Sequence, residues 1–168
     1  MTQTLYTIIS IIFDVIVAGF ILFAALDDGK TRIVRPSIQW GLLATATAHF
    51  LFMLYVAYWG NIQSIQPWNA WQLLIAGVLM FAIYITLVLV FKTGIGGADT
   101  KVSSIMAFYL GLLPSAIMVV GHFASAIIYV VYEKIRYNKY IASVPLMVFI
   151  GIGYLITLAI KWITFCIN

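Results

Sequence analysis

Charge is what this chain has least of. Nine Lys/Arg and five Asp/Glu make up only 8% of its 168 residues, against 64% hydrophobic; a typical soluble domain carries about 25% charged residues. So few charges cannot cover a water-facing surface, which excludes a soluble globular domain and assigns the chain to a bilayer. Cysteine is almost missing as well. Cys166 stands alone, so no internal disulfide can form and no Cys/His cluster offers a metal site. The first apolar run lacks a basic region before it and is too long for a signal-peptide core, so no cleaved leader is expected. Gly94, Gly96 and Gly97 suggest a phosphate loop only superficially, because no Gly-Lys-Ser/Thr order follows and no strand precedes them. The formal charge of +4 sits in short loops, which speaks for membrane orientation and against nucleic-acid binding.

What is present is a series of long apolar runs. They extend over roughly Thr4 to Ala25, Ser37 to Tyr58, Ala70 to Phe91, Val102 to Tyr132 and Ser143 to Phe165. A hydrocarbon core about 30 Å thick takes about 20 helical residues. The run from Val102 to Tyr132 is long for one span and short for two. Pro114 lies inside it and predicts a break, since proline removes a backbone donor and disfavours helix in the residue before it. Charge decides the count. With a break at Pro114, the first loop carries Lys30, Arg32 and Arg35, the third Lys92 and Lys101, and the fifth Lys134, Arg136 and Lys139. The second loop and the turn at Pro114 carry none. Basic loops face the cytoplasm, so the expectation is one all-α membrane domain over residues 1–168. It is a bundle of six transmembrane helices with a short or broken fourth helix, in the cytoplasmic membrane with both termini outside. Tyr55, Tyr58, Trp59, Trp68 and Trp71 would form the outer aromatic belt.

Two acid-bearing loops then fall on one face. Leu26-Asp27-Asp28-Gly29-Lys30-Thr31-Arg32 follows helix 1, and Gly94-Ile95-Gly96-Gly97-Ala98-Asp99-Thr100-Lys101 opens helix 4. Two carboxylates that share a proton can hydrolyse a peptide bond, one deprotonating water while the other polarises the carbonyl. Residues without Cβ let the backbone turn sharply and approach an extended substrate closely. Each feature also has a structural alternative: Asp99 as the N-cap of helix 4, and Asp27-Asp28-Gly29 as a solvated turn.

The run Gly96-Gly97-Ala98-Asp99-Thr100-Lys101 resembles the Gly-x-[Gly/Ala]-Asp-x-Lys signature of the type IV prepilin peptidases, membrane aspartic proteases, and most of all their archaeal preflagellin form, where Ala before the Asp is usual. The family's other aspartate follows helix 1. Aligned on Asp28, the sequence Asp28-Gly29-Lys30-Thr31-Arg32-Ile33-Val34-Arg35-Pro36 matches at Arg32 and Val34, with the proline one residue late; aligned on Asp27 it matches less well. The stretch Lys139 to Pro145 is weakly similar to the start of the family's last helix. The resemblance implies an endopeptidase that cuts the short basic leader of type IV pilin or archaellin precursors at the cytoplasmic face, in contact with membrane lipid. Asp28 and Asp99 would be catalytic, and Gly96, Gly97, Ala98 and Lys101 would bind substrate. Bacterial relatives often carry a zinc-binding cysteine segment and methylate the new N-terminus; with one Cys here, proteolysis alone is expected, with no cofactor and no metal.

Asp14 stands apart. An ionisable group in mid-span is costly and by default functional. Counted inward from the basic loops at about 1.5 Å per residue, Asp14, His49 and His122 lie at one depth, about 20 Å in. A buried Asp–His pair or a protonated Asp14 is expected, while Lys161 snorkels at the outer end of the last helix. The rival function is a small ion- or proton-coupled transporter using Asp14, His49 and His122. A serine protease built on Ser115, His122 and Ser125 lacks an accompanying glycine motif, and a non-catalytic scaffold is the remaining option.

Overall fold

The computed structural model describes residues 2–31, 33–60, 66–91, 97–137 and 144–167. Those residues form six helices: α1 (Gln3–Thr31), α2 (Pro36–Trp59), α3 (Pro67–Phe91), α4 (Gly97–Leu110), α5 (Leu112–Tyr137) and α6 (Leu146–Ile167). All but α4 are long and apolar enough to cross a membrane; at about 1.5 Å per residue α4 spans only about 21 Å. The chain is therefore a polytopic helical membrane protein with a short fourth helix. Gly96, the basic residues Arg32, Lys92 and Lys139, and the rest of the Gly94–Gly96 bend lie outside the described residues.

The short helix is the hub. α4 packs against α2, α3, α5 and α6, while α1 lies against α2 and α6, and α5 against α6. Thr100, Val102, Ser103, Met106 and Ala107 are buried along α4. In helices this uniformly apolar, the inward face is marked by which residues lose all exposure. On α1 these are Ser10, Asp14, Val17, Ile21, Ala24 and Asp28, a strict alternation of three and four residues, the spacing of one helix face. On α6, Met147, Ile150, Tyr154 and Thr157 are buried at the same spacing. The largest apolar cluster draws Val17, Ile21 and Ala24 together with Leu42, Val102, Met106, Met118, Met147 and Ile150.

Two boundaries differ from expectation. α1 continues nearly two turns past the apolar run, so Asp27 and Asp28 are helical and not in a loop. Lys30 in the last turn complements the C-terminal dipole, and Thr31 Oγ1 donates to the Asp27 carbonyl at 2.9 Å. The break in the long fourth run falls at Gly111 (φ 84°), three residues before Pro114. The donor that Pro114 lacks is the one that would have reached the carbonyl of Leu110. The chain bends there, at a residue that tolerates positive φ, and Pro114 then sits in the first turn of α5, where a missing N–H costs little. Tyr55, Tyr58, Trp59, Trp68 and Trp71 are all exposed near the α2–α3 junction, as a belt requires.

α5 and α6 approach closely because both carry glycine at the crossing. A Cβ built on Gly153 would lie 2.3 Å from the Met118 carbonyl oxygen and 3.0 Å from the His122 nitrogen, both backbone atoms. Small residues let membrane helices pack at such distances. Gly153→Ala is expected to cost about 1–3 kcal/mol by overpacking, lowering the thermal unfolding midpoint by several degrees; an unchanged midpoint would show that the two backbones part freely.

Candidate functional site

Asp28 and Asp99 come to one end of the bundle on separate helices. Asp28 is the last member of the buried stripe of α1, and its Oδ2 accepts the backbone N–H of Met147 at 3.0 Å. That donor is one of the first N–H groups of α6, which no intrahelical carbonyl satisfies. A carboxylate there meets both a free donor and the positive end of the helix dipole. Pro145 just before α6 fixes where those free donors lie, and its carbonyl accepts from Val148 at 3.1 Å. Asp99 lies in the first turn of α4, the third residue of the helix, not its N-cap. Its neighbours Ala98 and Val102 join the same apolar cluster as Ala24 and Met147. Ala24 lies one turn before Asp28 and the Met147 N–H donates to Asp28, so both acids stand at one end of that cluster. Each is next to the N-terminus of a helix.

The adjacent acid goes elsewhere. Asp27 forms a bidentate pair with Arg35, with Nε to Oδ2 at 2.7 Å and Nη2 to Oδ1 at 3.0 Å. The Asp27 carboxylate raises the Arg35 guanidinium above its ordinary pKa, chiefly through that hydrogen bond. Asp27 therefore closes the α1–α2 turn, while Asp28 faces the core.

Gly97 is exposed and Ala98 half-buried at the start of α4. Lys101 is two residues past Asp99, on another face of the helix. It borders an apolar groove of about 420 Å³ that runs along α2, α3 and α4 and includes Pro36, Trp40, Phe81 and Ile105. The three proposed substrate contacts that are described are thus not all on one face: Lys101 looks to the groove, whereas Ala98 packs inward.

The deeper polar residues pair differently from expectation. Asp14 takes a lysine and tyrosines in place of a histidine. Lys161 Nζ donates to its Oδ2 and Tyr109 Oη to its Oδ1, both at 2.7 Å, and Tyr154 Oη donates to its backbone carbonyl at 3.2 Å. Lys161 does not simply snorkel. It falls four residues after Thr157 on the inward stripe of α6, and its ammonium is held by the carboxylate. His49 packs against Tyr109 with the rings tilted by 48° and their centroids 4.7 Å apart. His122 pairs with the Tyr84 hydroxyl through Nδ1 at 3.1 Å. Neither serine hydroxyl of the serine-protease alternative engages that ring. Ser115 Oγ donates to the Leu112 carbonyl and Ser125 Oγ to those of Gly121 and His122. Tyr109, Tyr84 and the Met147 amide are partners that a residue-type search does not single out, because tyrosine and backbone carry no motif.

Compared with family models, curated proteins and solved structures, the chain matches none. Among the described residues no group of three or more His, Cys, Asp or Glu comes together.

Proposed function

We propose that this chain is a membrane aspartic endopeptidase that removes the short basic leader of prepilin- or preflagellin-like precursors, with Asp28 and Asp99 as its paired acids. The observation that carries this reading is the arrival of Asp28 and Asp99, from two helices far apart in sequence, at the same end of one apolar core. The resemblance of Gly96-Gly97-Ala98-Asp99-Thr100-Lys101 and of the Asp28 segment to the type IV prepilin peptidases supports it independently.

In the proposed reaction one carboxylate takes a proton from water as its oxygen adds to the scissile carbonyl carbon. The other, protonated, gives its proton to the carbonyl oxygen. On collapse of the tetrahedral species the C–N bond breaks, the proton first taken leaves on the new amine, and one hydroxyl proton returns to the second carboxylate as the new carboxyl group forms. The groove beside Lys101 offers an apolar wall to the substrate's helix, next to the end where its leader would be cut. Lys30, Arg35, Lys101, Lys134 and Arg136 belong to the ends of helices at the acid-bearing face, which under the positive-inside rule makes that face cytoplasmic. Asp28 and Asp99 would then meet the substrate where its leader joins its membrane helix.

The test is cleavage in proteoliposomes of a synthetic precursor with a short basic leader and an apolar helix, read by product mass. A single cut at the junction is the expected result; an intact precursor refutes the assignment. Asp27→Asn serves as a control. Its pair with Arg35 is exposed to water, where such pairs contribute little, so cleavage is expected to stay within about fivefold of wild type. A complete loss would transfer the role from Asp28 to Asp27.

A further inference from the structure

The end of the bundle opposite Asp28 contains a polar cavity that the peptidase proposal does not use. It measures about 220 Å³ and is lined by Ser10, His49, Asn69, Gln72, Tyr109 and Lys161, contributed by all of α1, α2, α3, α4 and α6. These residues lie towards the start of α1 and α3 and the finish of α2, α4 and α6, so the cavity belongs to the face away from the two acids. It shares Tyr6, Ser10 and Lys161 with a groove of about 420 Å³ between α1 and α6, where Gln3 and Thr7 carry polar side chains to the helix end. Its floor is Lys161, which lines it and is held by Asp14, one turn beyond Ser10 on α1. Lys161 keeps 43% of its side chain exposed and Asp14 only 4%.

Two observations assign an occupant. Ser10 Oγ and His49 Nδ1 are buried with no hydrogen-bond partner among the described residues, and burying a polar group unpaired costs on the order of 1–3 kcal/mol. Leu110 and Pro114, which flank the helix break at Gly111, line the same cavity. Non-helical backbone at membrane depth is tolerated where it borders water or protein. A polar cavity of this size accommodates several waters, each needing about 30 Å³ and two to four polar partners. Below the floor the α1 stripe turns apolar through Val17, Ile21 and Ala24, continuous with the large cluster that ends at Asp28.

We infer that this cavity is a water-filled vestibule, open to the face opposite the two acids and closed beneath by the Asp14–Lys161 pair. It admits water and small hydrophilic solutes as far as Ser10 and Gln72. It does not supply the Asp28–Asp99 end, because about 21 Å of helix packed with apolar side chains separates them.

Cysteine labelling tests this in the full chain, reconstituted in sealed vesicles with Cys166→Ser as background. The probe is a membrane-impermeant sulfonatoethyl methanethiosulfonate. Only the thiolate reacts, so a cysteine in lipid is slow and one in water fast. Gly29→Cys, exposed at the far end of α1, reports the acid-bearing face. Ile12→Cys, exposed on α1 at nearly the depth of Ser10, reports lipid. Ser10→Cys and Gln72→Cys are expected to react at least about tenfold faster than Ile12→Cys, and from the face opposite Gly29→Cys. Two positions on different helices guard against one variant failing to fold. Rates no faster than that of Ile12→Cys at both positions, or reaction from the Gly29 face, overturn the inference. Neither outcome bears on cleavage, so the vestibule stands or falls apart from the peptidase.

Discussion

Asp28→Asn and Asp99→Asn are each expected to fold and to lose about 10³-fold or more of the cleavage rate. Asparagine keeps the shape and one acceptor oxygen of the carboxylate but can neither take a proton from water nor hold one for the carbonyl. The two acids act as one unit, so the double variant should be no worse than either single one. Asp28 permits a sharper separation of chemistry from stability, because its oxygen also accepts the Met147 N–H. The amide oxygen of Asn can still accept that bond, so Asp28→Asn should leave the unfolding midpoint almost unchanged. Asp28→Ala removes the cap on α6 and should cost about 1 kcal/mol besides. The measurement is a rate on the basic-leader precursor together with a melting curve for each variant. If either Asn variant still cleaves within about tenfold of wild type, far short of the loss expected from removing a general acid or base, the paired-acid mechanism is wrong.

How far this arrangement was legible in the sequence depends on the residue. The helix count was readable, because the basic residues avoid the second loop and the turn near Pro114. Which of Asp27 and Asp28 faces the core was readable as well, through a signal in the register: Ser10, Asp14 and Asp28 fall on one face of α1, and Asp27 does not. In a helix apolar on every side, hydrophobic periodicity is silent and the few polar residues trace the inward face instead. The same register carries Lys161, four residues beyond Thr157 on the face of α6 that includes Met147, Ile150 and Tyr154. Its pairing with Asp14 was therefore open to view, and depth counting alone pointed to histidine. The bend at Gly111 was obscured by Pro114, whose effect falls on the carbonyl four residues earlier, and the most permissive residue nearby takes the turn. The Asp28–Met147 contact could not be read, since a backbone donor becomes available only once α6 is known to begin after Pro145.

Lys161→Met is expected to destabilise the chain by about 3–5 kcal/mol, because it leaves Asp14 buried without its counter-charge. At roughly 2–4 °C per kcal/mol for a chain of this size, the unfolding midpoint should fall by about 10 °C. Asp14→Asn should cost less. With 43% of its side chain exposed, Lys161 can turn its ammonium to water when the carboxylate goes, whereas Asp14, at 4%, has no such retreat. Tyr109 can still donate to the amide oxygen that takes the place of the carboxylate. The double variant Asp14→Asn with Lys161→Met should accordingly recover part of the loss of Lys161→Met alone, which is the signature of a coupled pair. Cleavage measured well below the midpoint should be unaffected in all three, because Val17, Ile21 and Ala24 separate this pair from Asp28 on α1. Lys161→Met melting like wild type would mean that the ion pair holds nothing together. Asp14→Asn losing cleavage at full stability would mean that the chemistry extends through the apolar core, and the transporter alternative built on Asp14 would then regain its claim.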